Sequence, residues 1–300
     1  MIVRSKIPVT LLIREIWKFT LAIVIYTATV SALDLRFHLE ELHFPVGVVT
    51  VLGTTLGILL AFRTNAAYGR WWEARIIWGR IVNDSRTWTR ELLTFASTGE
   101  KQADKDLVPI AHRQFHWCYA LARSLRRQDP LQDLETLMDQ NEWAAYREQK
   151  NVPNAILARQ GLELRRLRDE ERIDPYQFVA LESTLTRLTD SMGGCERINN
   201  TPFPRSYGLW INMLIYLFVV LLPFALVDMP AVGLMIITTP IAVGFLVIDK
   251  VADYLEDPFI ERASSTAMLH LSRTIEINIR QMLNDENLPA EMKPVNGVLL

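Results

Sequence analysis

Two histidines, His112 and His116, are the clearest pair of possible metal ligands in this chain, and they lie four positions apart in a helical pattern. That spacing places two imidazoles on one face of a helix, where both could bind one metal ion. The metalloprotease motif of this spacing needs a glutamate after the first histidine, and the chain has Arg113 there. We therefore expect the pair to be structural and predict no metal site.

A second group of possible metal ligands is His38, Glu41 and His43, in the connection between the first two apolar stretches. A solvated loop is the interpretation we favour for this group. The chain has no glycine-rich phosphate loop, and no serine or cysteine in a nucleophile-elbow setting. Its formal net charge of −2 gives no case for nucleic acid binding. We expect no enzyme activity, no cofactor and no nucleic acid partner.

The elements that position these residues include four candidate membrane spans, at about 16–33, 44–66, 206–227 and 229–249. The second begins with 19 uncharged residues, 44–62, which at about 1.5 Å per residue can cross a hydrocarbon core of about 30 Å. Charged residues nevertheless make up 22% of the chain. We therefore assign 67–205 and 250–300 to a cytosolic helical region within one single domain, 1–300.

Lysine and arginine are unevenly distributed around the predicted spans. Four precede the first uncharged run, which begins at Phe19, and four closely follow the apolar run of the second span, whereas one lies between these spans and none between the third and fourth. Positive charge marks the cytoplasmic side, so we place both termini and the long segment 67–205 in the cytoplasm. The two cysteines, Cys118 and Cys195, lie in this segment, and we expect reduced thiols.

The remainder of the chain has a helical pattern with almost no strand signal. Asp174-Pro175 predicts the start of a helix, with the aspartate as N-cap. Gly193-Gly194 is expected to interrupt that helix near Met192. After the fourth span, residues 249–283 are expected to form an amphipathic helix with a kink at Asp257-Pro258.

The apolar runs of the spans have no ionisable side chain in their interiors. Ion-coupled carriers place such groups near the midplane of the membrane. A passive pathway fits better, because a hydrophobic constriction can gate without any charge. Four spans leave little room for a pore within one chain, so a symmetric ring of subunits would be needed.

The second span has two unlike stripes of residues. The small stripe contains Gly53, Gly57 and Ala61, and the bulky stripe contains Thr54, Ile58 and Phe62. A small stripe allows a neighbouring helix to approach closely. The bulky stripe would either line a pore or pack in a helix bundle, and periodicity alone leaves both alternatives open.

Several motifs resemble those of bacterial bestrophin homologues. The segment 57–79, which includes FRTNAAYGRWWEAR, resembles their second span. Residues 193–204, with GGCER and then TPFP, resemble their return to the membrane, while LLPFAL and LEDPF resemble their third span and post-membrane helix. These motifs run nearly end to end and keep the family's order, so the whole chain resembles a bestrophin.

The resemblance implies an all-α pentameric ion channel with four transmembrane helices per chain, long helices that extend into a cytosolic domain, and one axial pore. By position, the narrow neck would be Thr54, Ile58 and Phe62, with Gly53, Gly57 and Ala61 packing neighbouring helices there. The cytosolic aperture would be Tyr176. The chain departs from the family pattern twice, since Thr54 replaces an aliphatic residue and Tyr176 a small aliphatic one.

The resemblance also implies the partners: four further copies of the chain, a lipid bilayer and small monovalent ions, in a bacterial inner membrane. Similarity to the bacterial branch favours monovalent cations, and a chloride or other anion channel of the same architecture is the alternative. Animal relatives bind calcium through an acidic cluster after a Pro-Phe pair. Here only Glu261 is acidic after that pair, so we predict no such site. A membrane-anchored scaffold without ion flux, or a transporter, would be the rival functions.

Overall fold

The computed structural model describes residues 9–37, 44–97, 99, 103–135, 137–262 and 264–294. Across these residues the regular structure is helical and contains no strand, which confirms the expected all-α class. The α-helices in the described ranges are α1 (Val9–Phe37), α2 (Val46–Ala96), α3 (Leu107–Leu125), α4 (Gln140–Arg147), α5 (Val152–Asp169), α6 (Pro175–Asn200), α7 (Arg205–Leu221), α8 (Ala231–Glu256) and α9 (Met268–Met282).

The described residues divide into two compact units. The apolar unit comprises 9–70 and 202–257, and the insert unit comprises 71–201 and 258–294, in each case where described. The first half of α2 belongs to the apolar unit together with α1, α7 and α8, and the second half belongs to the insert unit.

The apolar unit contains helices that are long and apolar enough to cross a membrane. These are residues Ile16–Phe37 of α1, the apolar part of α2, and α8. The shorter helix α7 is also apolar, and a 3₁₀ turn at Pro223–Ala225 follows it. Helix α8 packs against α1 and α7. The four spans and the domain bounds expected from the sequence stay predictions.

Helix α3 is the centre of the insert unit and packs against α5, α6 and α9. It is buried without interruption from Arg113 to Arg123, so its whole circumference contributes to the core of the unit. The free thiols of Cys118 and Cys195 are buried in this core. Burial raises the pKa of the Cys118 thiol to about 12 and also raises that of Cys195.

The start of α6 was predicted correctly and its interruption was not. The Asp174 carboxylate accepts a hydrogen bond from the backbone N–H of Gln177 at 2.8 Å, and the Gln177 side chain accepts one from the Asp174 N–H at 2.9 Å. The expected break at Gly193-Gly194 is wrong, because α6 continues to Asn200. A Cβ atom on Gly194 would lie 3.0 Å from Cδ1 of Ile77. The absence of a side chain there lets two helices pack closely, and this contact offsets the weak helix propensity of glycine.

The expected kink after the fourth span is also wrong. Helix α8 ends at Glu256 and α9 begins only at Met268. Proline has no N–H and disfavours helix at the residue before it, so Asp257-Pro258 ends the helix instead of bending it. The turn that follows is closed by a hydrogen bond of 2.9 Å from the N–H of Thr266 to the carbonyl oxygen of Pro258.

Candidate functional site

The bulky stripe of α2 is an exposed face of the apolar unit. Ile58 is 54% exposed and Phe62 is 66% exposed. Thr54 is exposed on the same stripe, and its hydroxyl donates a hydrogen bond of 2.9 Å to the carbonyl oxygen of Thr50. Thr50 and Asn65 extend the exposed surface at its two ends. The stripe therefore faces away from the core of the unit, and it carries polar and apolar groups together.

The exposed face of α7 has a different composition. Beyond Gly208 its exposed residues are Leu209, Trp210, Met213, Tyr216, Leu217 and Val220. A face built from large apolar and aromatic side chains suits contact with lipid. The exposed face of α2 between residues 50 and 66 includes three threonines and an asparagine, so the exposed faces of α2 and α7 are chemically distinct.

The small stripe of α2 is not uniform. A Cβ atom on Gly53 would lie 2.9 Å from Cε2 of Phe218 on α7, and the Phe218 ring is held edge-on against Phe245 with 5.0 Å between ring centroids. No side chain lies within 4 Å of a Cβ atom built on Gly57. Gly57 and Ala61 instead line an open groove of about 480 Å³ between α2 and α8. Of the two glycines of this stripe, Gly53 alone has so close a neighbour in the described part of the chain, and the packing role expected for the whole stripe stays a prediction.

A buried arginine, Arg63, follows Phe62 directly. It is 5% exposed and continues the buried row of α2 that contains Leu56, Leu60 and Ala67 at helical spacing. Successive residues of a helix point about 100° apart. The direction in which Arg63 is held therefore fixes the direction in which Phe62 points.

Three carboxylates on one face of α8 hold this arginine. Arg63 donates hydrogen bonds to Asp249 and Asp253, and Glu256 is 3.4 Å away. Farther along α2, the Nε of Arg70 donates a hydrogen bond of 3.0 Å to the carbonyl oxygen of Glu256. A cation is also favoured at the carboxyl end of α8 by the helix dipole. Two arginines thus join α2 to the last turns of α8.

The pair of Arg63 and Asp249 is the buried part of this cluster, because the two side chains are 5% and 4% exposed. Asp253 is one third exposed and has a second partner in Lys250, whose Nζ lies 3.2 Å from its Oδ2. Taking both charges of a buried pair out of water costs several kcal/mol per ion, so such a pair adds little net stability. It is well suited to hold one arrangement of two helices, since removing either partner leaves a buried charge unpaired.

Sequence reasoning missed this cluster. The uncharged runs ended at Phe62 and Ile248, so Arg63 and Asp249 fell just beyond the apolar segments. Two signals were present. Arg63 continues the helical spacing of Leu56 and Leu60, and the three acids of α8 recur at positions i, i+4 and i+7.

The expected aperture residue, Tyr176, is in the first turn of α6, in the insert unit. Its side chain is 87% exposed. A large aromatic side chain with this exposure has little packing role within the chain. Its assignment to a constriction stays a prediction.

His112 and His116 lie on the buried helix α3, with 6.5 Å between their ring centroids. Burial lowers the pKa of His116 to about 3, helped by His112 and nearby arginines, and burial also lowers the pKa of His112. Both rings are therefore neutral at pH 7. In the described ranges no three His, Cys, Asp or Glu side chains are grouped closely enough to hold a metal ion. The other group considered, His38, Glu41 and His43, lies outside the described residues.

Comparison with known proteins identifies the family of this chain. The model of the Bacterial/Fungal Bestrophin protein family matches residues 2–281. The chain belongs to the bestrophin family, which confirms the resemblance drawn from its motifs. Bestrophins are ion channels and are not an enzyme family.

Individual relatives cover nearly the whole chain. A voltage-dependent anion channel-forming protein of Salmonella typhi is 31% identical over 97% of this chain and 91% of its own length. One of Ralstonia nicotianae is 30% identical over 87% of this chain and 86% of its own. The crystal structure of a bacterial bestrophin homologue from Klebsiella pneumoniae superposes with a TM-score of 0.82 at 29% identity, over 90% of this chain and 99% of the other.

Proposed function

We propose that this protein is a passive ion channel of a bacterial inner membrane, and that small monovalent anions are its permeant ions. Membership of the bestrophin family supports the channel, and the names of the relatives, which refer to anions, support the sign of the charge. The cation preference expected from the sequence has no support from these comparisons.

The observation that carries the pore assignment is the contrast between the exposed faces of α2 and α7. The α7 face is apolar and aromatic, as lipid contact requires, whereas the α2 face mixes threonine and asparagine with Ile58 and Phe62. A pore wall needs polar groups for a hydrated ion and an apolar segment that can gate by dewetting. The α2 stripe meets both needs.

In this proposal a homopentamer surrounds one axial pore, as the family resemblance implies. Each subunit contributes four spans, with both termini in the cytoplasm. Thr54, Ile58 and Phe62 form the neck, and Tyr176 narrows the cytosolic exit. The small stripe packs neighbouring helices at the neck, where the exposure of Ala61 and the open space at Gly57 leave room for another helix.

Reversal potentials of the purified full-length protein in planar bilayers, under a potassium chloride gradient, test the proposal. A potential near that of chloride supports an anion channel, and one near that of potassium would reinstate the cation alternative. The absence of current from reconstituted protein would favour a membrane-anchored scaffold and overturn the channel.

Alanine variants test the neck. Ile58→Ala and Phe62→Ala should each raise the current, because a shorter side chain widens and wets the constriction. Leu209→Ala is a matched control, since it shortens an apolar side chain that is 69% exposed on α7. If both neck variants gave the same current as the control, Ile58 and Phe62 would not form the constriction.

A further inference from the structure

The insert unit contains a cavity of about 420 Å³ beside α3 and α9. Its volume lies within the range of roughly 300–1,000 Å³ that is typical of small-molecule sites. Polar residues line one part, and the turn after α3 and the segment after α9 supply the leucines Leu134, Leu137 and Leu288. None of the proposed neck and aperture residues lines this cavity.

The polar part of the wall is a fixed network around Glu276, which is 3% exposed. The Tyr119 hydroxyl donates to Glu276 Oε2 at 2.8 Å and accepts from Arg273 Nε at 2.8 Å. Arg280 Nε donates to Glu276 Oε1 at 3.1 Å. Burial and the neighbouring carboxylate raise the pKa of Tyr119, so its hydroxyl keeps the proton that it donates. The carboxylate thereby holds two guanidinium groups at the cavity wall.

Each of these arginines retains donor capacity. Nη1 of Arg273 donates to the carbonyl oxygen of Ala290 at 3.3 Å, and Nη1 of Arg280 donates to Asp285 at 2.8 Å. For Nη2 of either arginine, the described part of the chain provides no hydrogen-bond partner. The two residues are seven positions apart on α9, and therefore lie two turns apart on one face.

We propose that this cavity binds a small organic anion. Its carboxylate or phosphate group would accept hydrogen bonds from Nη2 of Arg273 and Arg280, because the planar guanidinium suits these oxygen groups. Its apolar body would lie against Leu134, Leu137 and Leu288, which form the apolar part of the wall.

Thermal unfolding of the full-length protein in detergent tests this site with defined probes. Benzoate and phenyl phosphate carry both the anionic group and an apolar ring, acetate and inorganic phosphate lack the ring, and benzyl alcohol lacks the charge. We expect a saturable rise in unfolding temperature with benzoate, phenyl phosphate or both, at lower concentrations than with the ringless anions. The difference between benzoate and phenyl phosphate distinguishes a carboxylate site from a phosphate site. Benzyl alcohol should give no saturable shift.

Variants locate the binding. Arg273→Gln should weaken it at least about tenfold, because a hydrogen bond to a charged group is lost. Leu288→Trp, at a position 44% exposed, should fill the cavity and block binding with little effect on folding. Arg165→Gln, whose side chain is 69% exposed on α5, is the control for loss of a positive charge and should bind as the wild type does.

Three results would overturn the proposal: no saturable shift with any probe, equal shifts with benzoate and benzyl alcohol, or unchanged binding in Leu288→Trp. Because binding is measured without ion flux, failure here is distinct from failure of the channel assignment.

Discussion

Replacing Arg63 by glutamine should destabilise the protein more than removal of any one of its acidic partners. The substitution leaves Asp249 buried without its ion-pair partner, and its side chain is only 4% exposed. Removing one partner of a buried ion pair costs about 3–5 kcal/mol. The pair with Asp253 adds little to this sum, because the Asp253 side chain is 33% exposed and water screens such contacts to about 1 kcal/mol or less.

The converse substitution, Asp249→Asn, should cost less. Arg63 would keep Asp253 and Glu256 as partners, so the loss approaches that of one hydrogen bond to a charged group, about 1.5–3 kcal/mol. At about 2–4 °C per kcal/mol, Arg63→Gln should lower the unfolding temperature by about 6–20 °C. The double variant Arg63→Gln with Asp249→Asn should be more stable than Arg63→Gln alone, because no buried charge is left unpaired.

Thermal unfolding of the four proteins in one detergent measures this cycle. Arg165→Gln is the control, because it removes an arginine whose side chain is 69% exposed and should change stability by no more than about 0.5 kcal/mol. If the losses of the two single variants simply added in the double variant, the two charges would not be coupled. The argument that Arg63 fixes the rotation of α2 through Asp249 would then fail.

Three further predictions concern other parts of the chain. His116 has a pKa of about 3 in the fold against about 6.5 when unfolded, so the free energy of unfolding should fall by about 2 kcal/mol between pH 7.5 and 5. His116→Gln should remove that part of the acid sensitivity in unfolding scans, and an unchanged pH profile would contradict the assignment. Gly53→Ala should lower the unfolding temperature, because its Cβ would lie 2.9 Å from Phe218 and overpacking costs about 1–3 kcal/mol. Gly69→Ala, at an exposed position of the same helix with nothing within 4 Å of the added Cβ atom, is its matched control, and equal stability of the two variants would refute the contact. Tyr176→Ala should raise single-channel conductance without a change in unfolding temperature, since the side chain is 87% exposed. Conductance equal to wild type would remove Tyr176 as a constriction.

Local pattern was sufficient to predict much of the fold. The helical class and the N-cap at Asp174 follow from hydrophobic spacing and from the chemistry of single residues, which act over a few positions. The break expected at Gly193-Gly194 followed from the same local logic and was wrong, because a packing contact with Ile77 overrides helix propensity there.

The anchoring of α2 could not be predicted in this way. Arg63 and Asp249 are 186 residues apart in the sequence, and periodicity within one helix does not identify a partner on another. The environment that Thr54, Ile58 and Phe62 face could not be predicted from the sequence either, since lipid, a pore and a neighbouring subunit each accept apolar side chains. The contrast with the α7 face became visible only when exposure was known residue by residue.

The burial of Cys118 and Cys195 has a practical consequence for this channel. The thiolate is the reactive form of cysteine, and both thiols are buried with a raised pKa. Neither should react with a water-soluble thiol reagent near neutral pH. The natural protein therefore already serves as a silent background for cysteine labelling, and single cysteines placed at 54, 58, 62, 65 or 176 would report which positions water and ions reach, with no native residue to remove.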